Sequence, residues 1–203
     1  MAAAEEGPPE RVSREPARRL FFALWPDEPM RQAMAQATRK AVRESGGRPV
    51  PPSNLHVTLA FLGATPERRL PQLGEIARAA AREHAGEPLE LSFDHLEHWR
   101  AAHLLCASPA AASEPTAALA GRLHARLAAS GFATDLKPFR PHVTVARKVV
   151  RPGPADEMHP VLWRFTELAL IESRTLPEGA LYSVVESYGL CSRQKAANSS
   201  ETP

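Results

Sequence analysis

Apolar positions along this chain gather into short runs separated by proline, glycine and charged residues. Residues 19–25 form one such run, closed by Pro26, in the pattern of a buried strand. Asp27 then fits a helix N-cap with Pro29 in the first turn, and Met30, Met34 and Thr38 at helical spacing predict a helix to about Arg43. Gly46 and Gly47 stop it. Pro49, Pro51 and Pro52 stiffen an extended approach to a strand over residues 55–62, closed by Gly63. Thr65-Pro66-Glu67 reads as the start of a second helix running to about His84. Residues 89–93 alternate as a half-exposed strand should, and a turn at Arg100-Ala101-Ala102 leads into a strand over 103–107, giving a hairpin. Ser113-Glu114-Pro115 opens a third helix to about Ala129, ended by Ser130-Gly131. Two last strands are expected over 164–174 and 181–190. Residues 1–17 lack periodicity and read as a disordered lead-in, 191–203 as a disordered polar tail, leaving 18–190 as a single domain.

The order of elements repeats. A strand, a helix and a proline-introduced strand make each half, and the introduced strands carry almost the same residues: Leu55-His56-Val57-Thr58-Leu59 and Pro141-His142-Val143-Thr144-Val145. In extended backbone, residues i and i+2 share a face, so each copy presents an imidazole beside a hydroxyl while its valine points to the core. Two related lobes would bring these pairs together. An imidazole holds either protonation state near neutrality, so two of them supply an acid and a base, and the threonine hydroxyls can donate to the oxygens of a phosphodiester.

Composition narrows the partners. The 203 residues carry a formal net charge of only +2, which excludes an electrostatic grip along a long nucleic-acid backbone but not a basic patch in one cleft. The two cysteines, Cys106 in an apolar run and Cys191 beside the polar tail, form neither a disulfide framework nor a metal spacing. The N-terminus has no apolar segment resembling a secretory leader, and no apolar run reaches the roughly 20 residues that span a bilayer. The expectation is a cytoplasmic protein without membrane association.

With both motifs in view, the chain resembles the 2H phosphoesterase superfamily, and within it the RNA 2′,3′-cyclic phosphodiesterases also called 2′-5′ RNA ligases. The contexts His56-Val57-Thr58-Leu59-Ala60-Phe61 and His142-Val143-Thr144-Val145-Ala146-Arg147 carry the resemblance, which extends over about residues 18–190. It implies an α+β, bilobal duplicated fold with two antiparallel sheets lining a central cleft and helices outside. It also implies metal-free hydrolysis of a terminal 2′,3′-cyclic phosphate, on RNA 3′ ends or small cyclic nucleotides, to a 2′-phosphomonoester; no cofactor and no obligate protein partner are expected, and the chain is expected to be a monomer. By the same resemblance His56 is the proton donor to O3′, His142 the acceptor from water, Thr58 and Thr144 hydrogen-bond donors, Arg147 a phosphate ligand and Phe61 a base contact. Strict alternation aims both Phe61 and Arg147 away from the cleft, unless a bulge or a strand end intervenes. Arg140 shares the parity of His142 and is an alternative phosphate partner or a surface arginine.

Other candidates read differently. His95, His98 and His103 with Asp94 and Glu97 suggest a metal cluster, yet parity splits them between faces. His84, His124 and His159 read as surface residues, and Cys106 as a core thiol. A related enzyme on another cyclic diester such as ADP-ribose cyclic phosphate, a reversible 2′-5′ ligase, and a non-catalytic nucleotide-binding module are the competing functions.

Overall fold

The computed structural model describes residues 15–84, 89–110, 113–133, 138–151, 156–177 and 179–190; the expected terminal tails thus lie largely outside the described residues. Strand β1 (Ala17–Leu24) leads to helix α1 (Glu28–Glu44), capped by the Asp27 carboxylate, which accepts from the Met30 N–H at 2.9 Å. The two-residue β2 (Arg48–Pro49) precedes β3 (Val57–Pro66) and α2 (Leu70–Arg82). The hairpin β4 (Leu89–Trp99) and β5 (Leu104–Ser108) is followed by α3 (Glu114–Ala129) and β6 (Val143–Arg147). The chain closes with β7 (Asp156–Phe165), β8 (Glu167–Leu176) and β9 (Gly179–Gly189).

All pairings are antiparallel and fall into two sheets, one ordered β3-β1-β8-β9 and the other β2-β6-β5-β4-β7. The expected α+β architecture is what forms. The repeat is also real: β1–α1–β3 builds one end of the first sheet and β5–α3–β6 the matching part of the second. The helices, however, cross over. Helix α1 leaves the first sheet and packs on β6 and β7 of the second, where the Trp163 indole N–H donates to the Met30 carbonyl at 3.0 Å. Helix α3 leaves the second sheet and packs with α2 beneath the first. A single buried apolar cluster therefore draws on both sheets, from Leu20 and Val57 to Leu105 and Val143. Burying these faces together is the dominant favourable term, and neither sheet has it alone.

Three expectations need correction. The second helix starts at Leu70, because β3 keeps pairing with β1 as far as Pro66 and a short turn intervenes. The single strand expected over 164–174 is two strands in different sheets: the chain leaves β7 at Phe165 and enters β8 at Glu167. Buried apolar residues resume at Leu168 only three positions after Phe165, which hides the break from the sequence. Of the three histidines read as surface residues, His159 is exposed, on β7, but His84 is buried and His124 half-buried.

Candidate active site

Each motif strand is introduced by a histidine just outside the ladder, and both imidazoles are held alike. His56 Nδ1–H donates to the Asn54 carbonyl at 2.7 Å and His142 Nδ1–H to the Arg140 carbonyl at 2.9 Å. The bonding carbonyl lies two residues upstream in each case, so the proton is fixed on Nδ1 and the lone pair on Nε2, the nitrogen left to react. The Thr58 hydroxyl donates to His56 Nε2 at 3.1 Å, as the shared face of i and i+2 predicts. Thr144 Oγ1 lies instead 3.9 Å from the Cys106 sulfur on β5.

The alternation objection is resolved by the same device in both strands. Along β1 and β3, Ala23 pairs with Thr58 but Phe22 with Ala60, so Leu59 is an extra residue; Phe21 then pairs with Phe61. Along β5 and β6, Cys106 pairs with Thr144 but Leu105 with Ala146, so Val145 is extra, and Leu104 pairs with Arg147. One inserted residue reverses the parity beyond it. Phe61 is thereby returned to the face of Thr58, and Arg147 to that of Thr144. The carbonyls of the two inserted residues each have a donor from outside the ladder. His124 on α3 gives Nε2–H to Leu59 at 2.8 Å, and the Val50 N–H reaches Val145 at 2.9 Å.

Aromatic rings pack on both imidazoles, three on His56 and one on His142. His56 lies 4.9 Å from Phe21, 5.6 Å from Trp25 in a stacked arrangement and 5.3 Å from Tyr182 edge-on. These rings belong to a small apolar cluster, separate from the main core, on the motif face of the first sheet. Phe61 stands at its edge, 6.1 Å from Phe21 and 61% exposed. His142 lies 4.3 Å from Trp99, whose indole N–H donates to Glu97 at 2.9 Å; Glu97 also accepts from Arg140 at 2.5 Å. Arg140 thus serves the site through its carbonyl, while its guanidinium is committed to Glu97.

Burial sets the protonation of both histidines. It pushes His56 down to about 4, opposed by its bond to Asn54 and reinforced by the positive charges of Arg147, His142 and Arg31. The charges of His142 and Arg147 thus reach His56, and that of Arg147 reaches His142 as well. Burial also lowers His142, with the Arg140 carbonyl and Glu97 working against it and the Arg140 and Arg147 guanidiniums with it. Cys106 is raised to about 12 by burial, far from any nucleophilic thiolate. Among the described residues no three His, Cys, Asp or Glu side chains are grouped to hold a metal ion: His95 bonds to Asp94 at 2.6 Å, and Glu97 turns toward Trp99 and Arg140.

Residues 25–176, which hold both motif strands, match the 2′-5′ RNA ligase superfamily. The chain belongs to the 2′-5′ RNA ligase superfamily. It is 33% identical over 199 residues to a Thermus thermophilus protein named RNA 2′,3′-cyclic phosphodiesterase, covering 91% of this chain and 98% of that one. An Escherichia coli protein of the same name is 28% identical over 129 residues, covering 64% of this chain and 71% of that one. The crystal structure of E. coli LigT complexed with 3′-AMP has a TM-score of 0.78 at 25% identity, spanning 86% of this chain and 99% of LigT.

For this superfamily member the sequence reading missed the shell around the motifs. Trp25, Tyr182, Trp99 and Glu97 frame the imidazoles, and His124 holds a strand carbonyl. Trp25 alone carried a legible signal, since it shares the parity of Phe21 on β1. Tyr182 and Trp99 arrive from strands distant in sequence, which no local pattern reports.

Proposed function

We propose that this protein is an RNA 2′,3′-cyclic phosphodiesterase that opens a terminal cyclic phosphate by acid–base catalysis between His56 and His142. One observation carries the reading: two His-Thr half-sites, each imidazole held through Nδ1 by the carbonyl two residues upstream so that Nε2 is the nitrogen available for proton transfer, with His142 near enough for its charge to act on His56. The names of the relatives support the substrate class.

In this mechanism His142 Nε2 takes a proton from water, whose oxygen attacks phosphorus, and His56 Nε2–H gives one to O3′ as the P–O3′ bond breaks. The product is a 2′-phosphomonoester. Thr58, Thr144 and Arg147 stabilise the charge gathering on the non-bridging oxygens. Phe61 offers its exposed ring to the base. Burial opposes a proton on His56, so the donor is charged by the substrate anion: a phosphodiester against His56 and Arg147 offsets the burial. No bound metal takes part in this scheme, and a cytoplasmic setting fits it.

The test is to incubate the protein with nucleoside 2′,3′-cyclic phosphates and ADP-ribose cyclic phosphate, in EDTA, and identify the product. Release of a nucleoside 2′-phosphate, undiminished by EDTA, is expected. A 3′-phosphate product, zinc-restored activity, or turnover of ADP-ribose cyclic phosphate alone would overturn the proposal.

A further inference from the structure

Beside Arg147 the surface opens into a depression of about 510 Å³, lined by His103, Leu104, Arg147, Lys148, Val149 and Val150 among others. That volume suits a small organic ligand. Its lining residues include two basic residues, Arg147 and Lys148, and His103, and no carboxylate-bearing residue. On a chain with a formal net charge of +2, this is a local concentration of positive charge around an otherwise apolar surface. Val150 is 71% exposed there.

The backbone singles out the same place. His103 and Lys148, at φ 53° and 54°, are the two non-glycine residues with positive φ among the described residues, and both line the depression. Left-handed backbone is disfavoured for residues with a Cβ and persists where the surroundings impose it, often at binding sites. The turn at Lys148 has a geometric consequence. Continued alternation would send Lys148 to the face opposite Arg147, whereas both line one depression. Leu104, paired with Arg147 across β5 and β6, connects this floor to the face that carries Thr144.

We propose that this depression is a second subsite, which receives the phosphodiester and nucleoside upstream of the terminal cyclic phosphate. The inference rests on the phosphodiesterase reading, because Arg147 is shared between the two subsites. Lys148 meets the upstream phosphate, with His103 beside it, and Leu104 and Val150 offer apolar surface to the sugar and base. Such contacts tolerate any base sequence. The preferred substrate is then an RNA strand end rather than a free nucleoside cyclic phosphate.

The experiment compares kcat/KM for a nucleoside 2′,3′-cyclic phosphate and for a tetranucleotide with the same terminus, in the wild type and in Lys148→Glu and Val150→Asp. The wild type is expected to favour the tetranucleotide by about tenfold or more, the scale of one well-made charged contact. Lys148→Glu removes that preference and flattens the salt dependence of the tetranucleotide KM, with mononucleotide kinetics unchanged. Equal wild-type values for the two substrates, or a Lys148→Glu effect of the same size on both, overturns the subsite. If the wild type turns over neither, the phosphodiesterase reading fails on its own. Binding of a tetranucleotide ending in a 2′-phosphate, against a nucleoside 2′-monophosphate, then decides the subsite. A longer-strand advantage lost in Lys148→Glu supports it, and equal affinities overturn it.

Discussion

The two half-sites share a plan and differ in surroundings. Both hold the imidazole by a carbonyl two residues upstream, both set the threonine on the same face, and both insert one residue after it to return the next functional side chain to that face. His56, however, lies in a nest of Phe21, Trp25 and Tyr182, with the positive charges of Arg147, His142 and Arg31 acting on it, whereas His142 has one indole and the carboxylate of Glu97. The strand geometry needed to present a His-Thr pair is thus common to both, and the proton affinity is set locally by what packs on the ring. A duplicated site can therefore hold two identical groups in unlike protonation tendencies.

The largest effects test whether the halves are complementary. His56→Ala and His142→Ala should each lower kcat by about 10²–10⁴-fold, since each removes one proton transfer. Either variant keeping wild-type kcat on a 2′,3′-cyclic nucleotide would reduce the pair to one working histidine. Next come the hydroxyls. Thr58→Val and Thr144→Val should each cost roughly 10²-fold, near the lower end for a lost transition-state donor. In the free protein Thr58 bonds to His56 Nε2, so its removal should also move the acidic limb of the kcat/KM profile; Thr144, beside Cys106, should leave that limb in place.

The third difference is read in stability. His56 titrates at about 4 in the folded chain against an ordinary 6.5. Above pH 6.5 neither the folded nor the unfolded state holds that proton. Between the two values the unfolded chain takes it up and the folded chain does not, so stability falls as pH falls, by about 3 kcal/mol in all. Urea melts of wild type and His56→Ala from pH 7 to 4 should show the variant losing less. His142→Ala should recover a smaller part, because Glu97 partly offsets its burial. Equal recovery from both would mean that the surroundings do not distinguish them.

The smallest effect concerns how each inserted residue is held. Val145 receives a backbone N–H from Val50, but Leu59 depends on the side chain of His124. His124→Phe should leave a half-buried carbonyl without its donor, lowering stability by about 1–2 kcal/mol and kcat/KM severalfold, with His124→Gln restoring both. An unchanged kcat/KM in His124→Phe would show that the first bulge holds without its outside donor.

The sequence by itself determined the repeated strand–helix–strand order, the two His-x-Thr pairs and the Asp27 cap, because these rest on local rules: alternation along a strand, helical spacing and the chemistry of caps. It left Phe61 and Arg147 on the wrong face, since a bulge is visible only as a register against another strand, and β1 and β5 supply that register from far along the chain. Nor did it show the crossing from β7 to β8, where buried apolar residues resume at Leu168. The Tyr182 ring on His56 and the Trp99 ring on His142, the crossed packing of α1 and α3 and the bond from His124 were decided by the tertiary structure alone. Each joins segments whose sequence separation carries no periodic trace, and burial within those contacts, not residue type, sets the proton affinity of the two histidines.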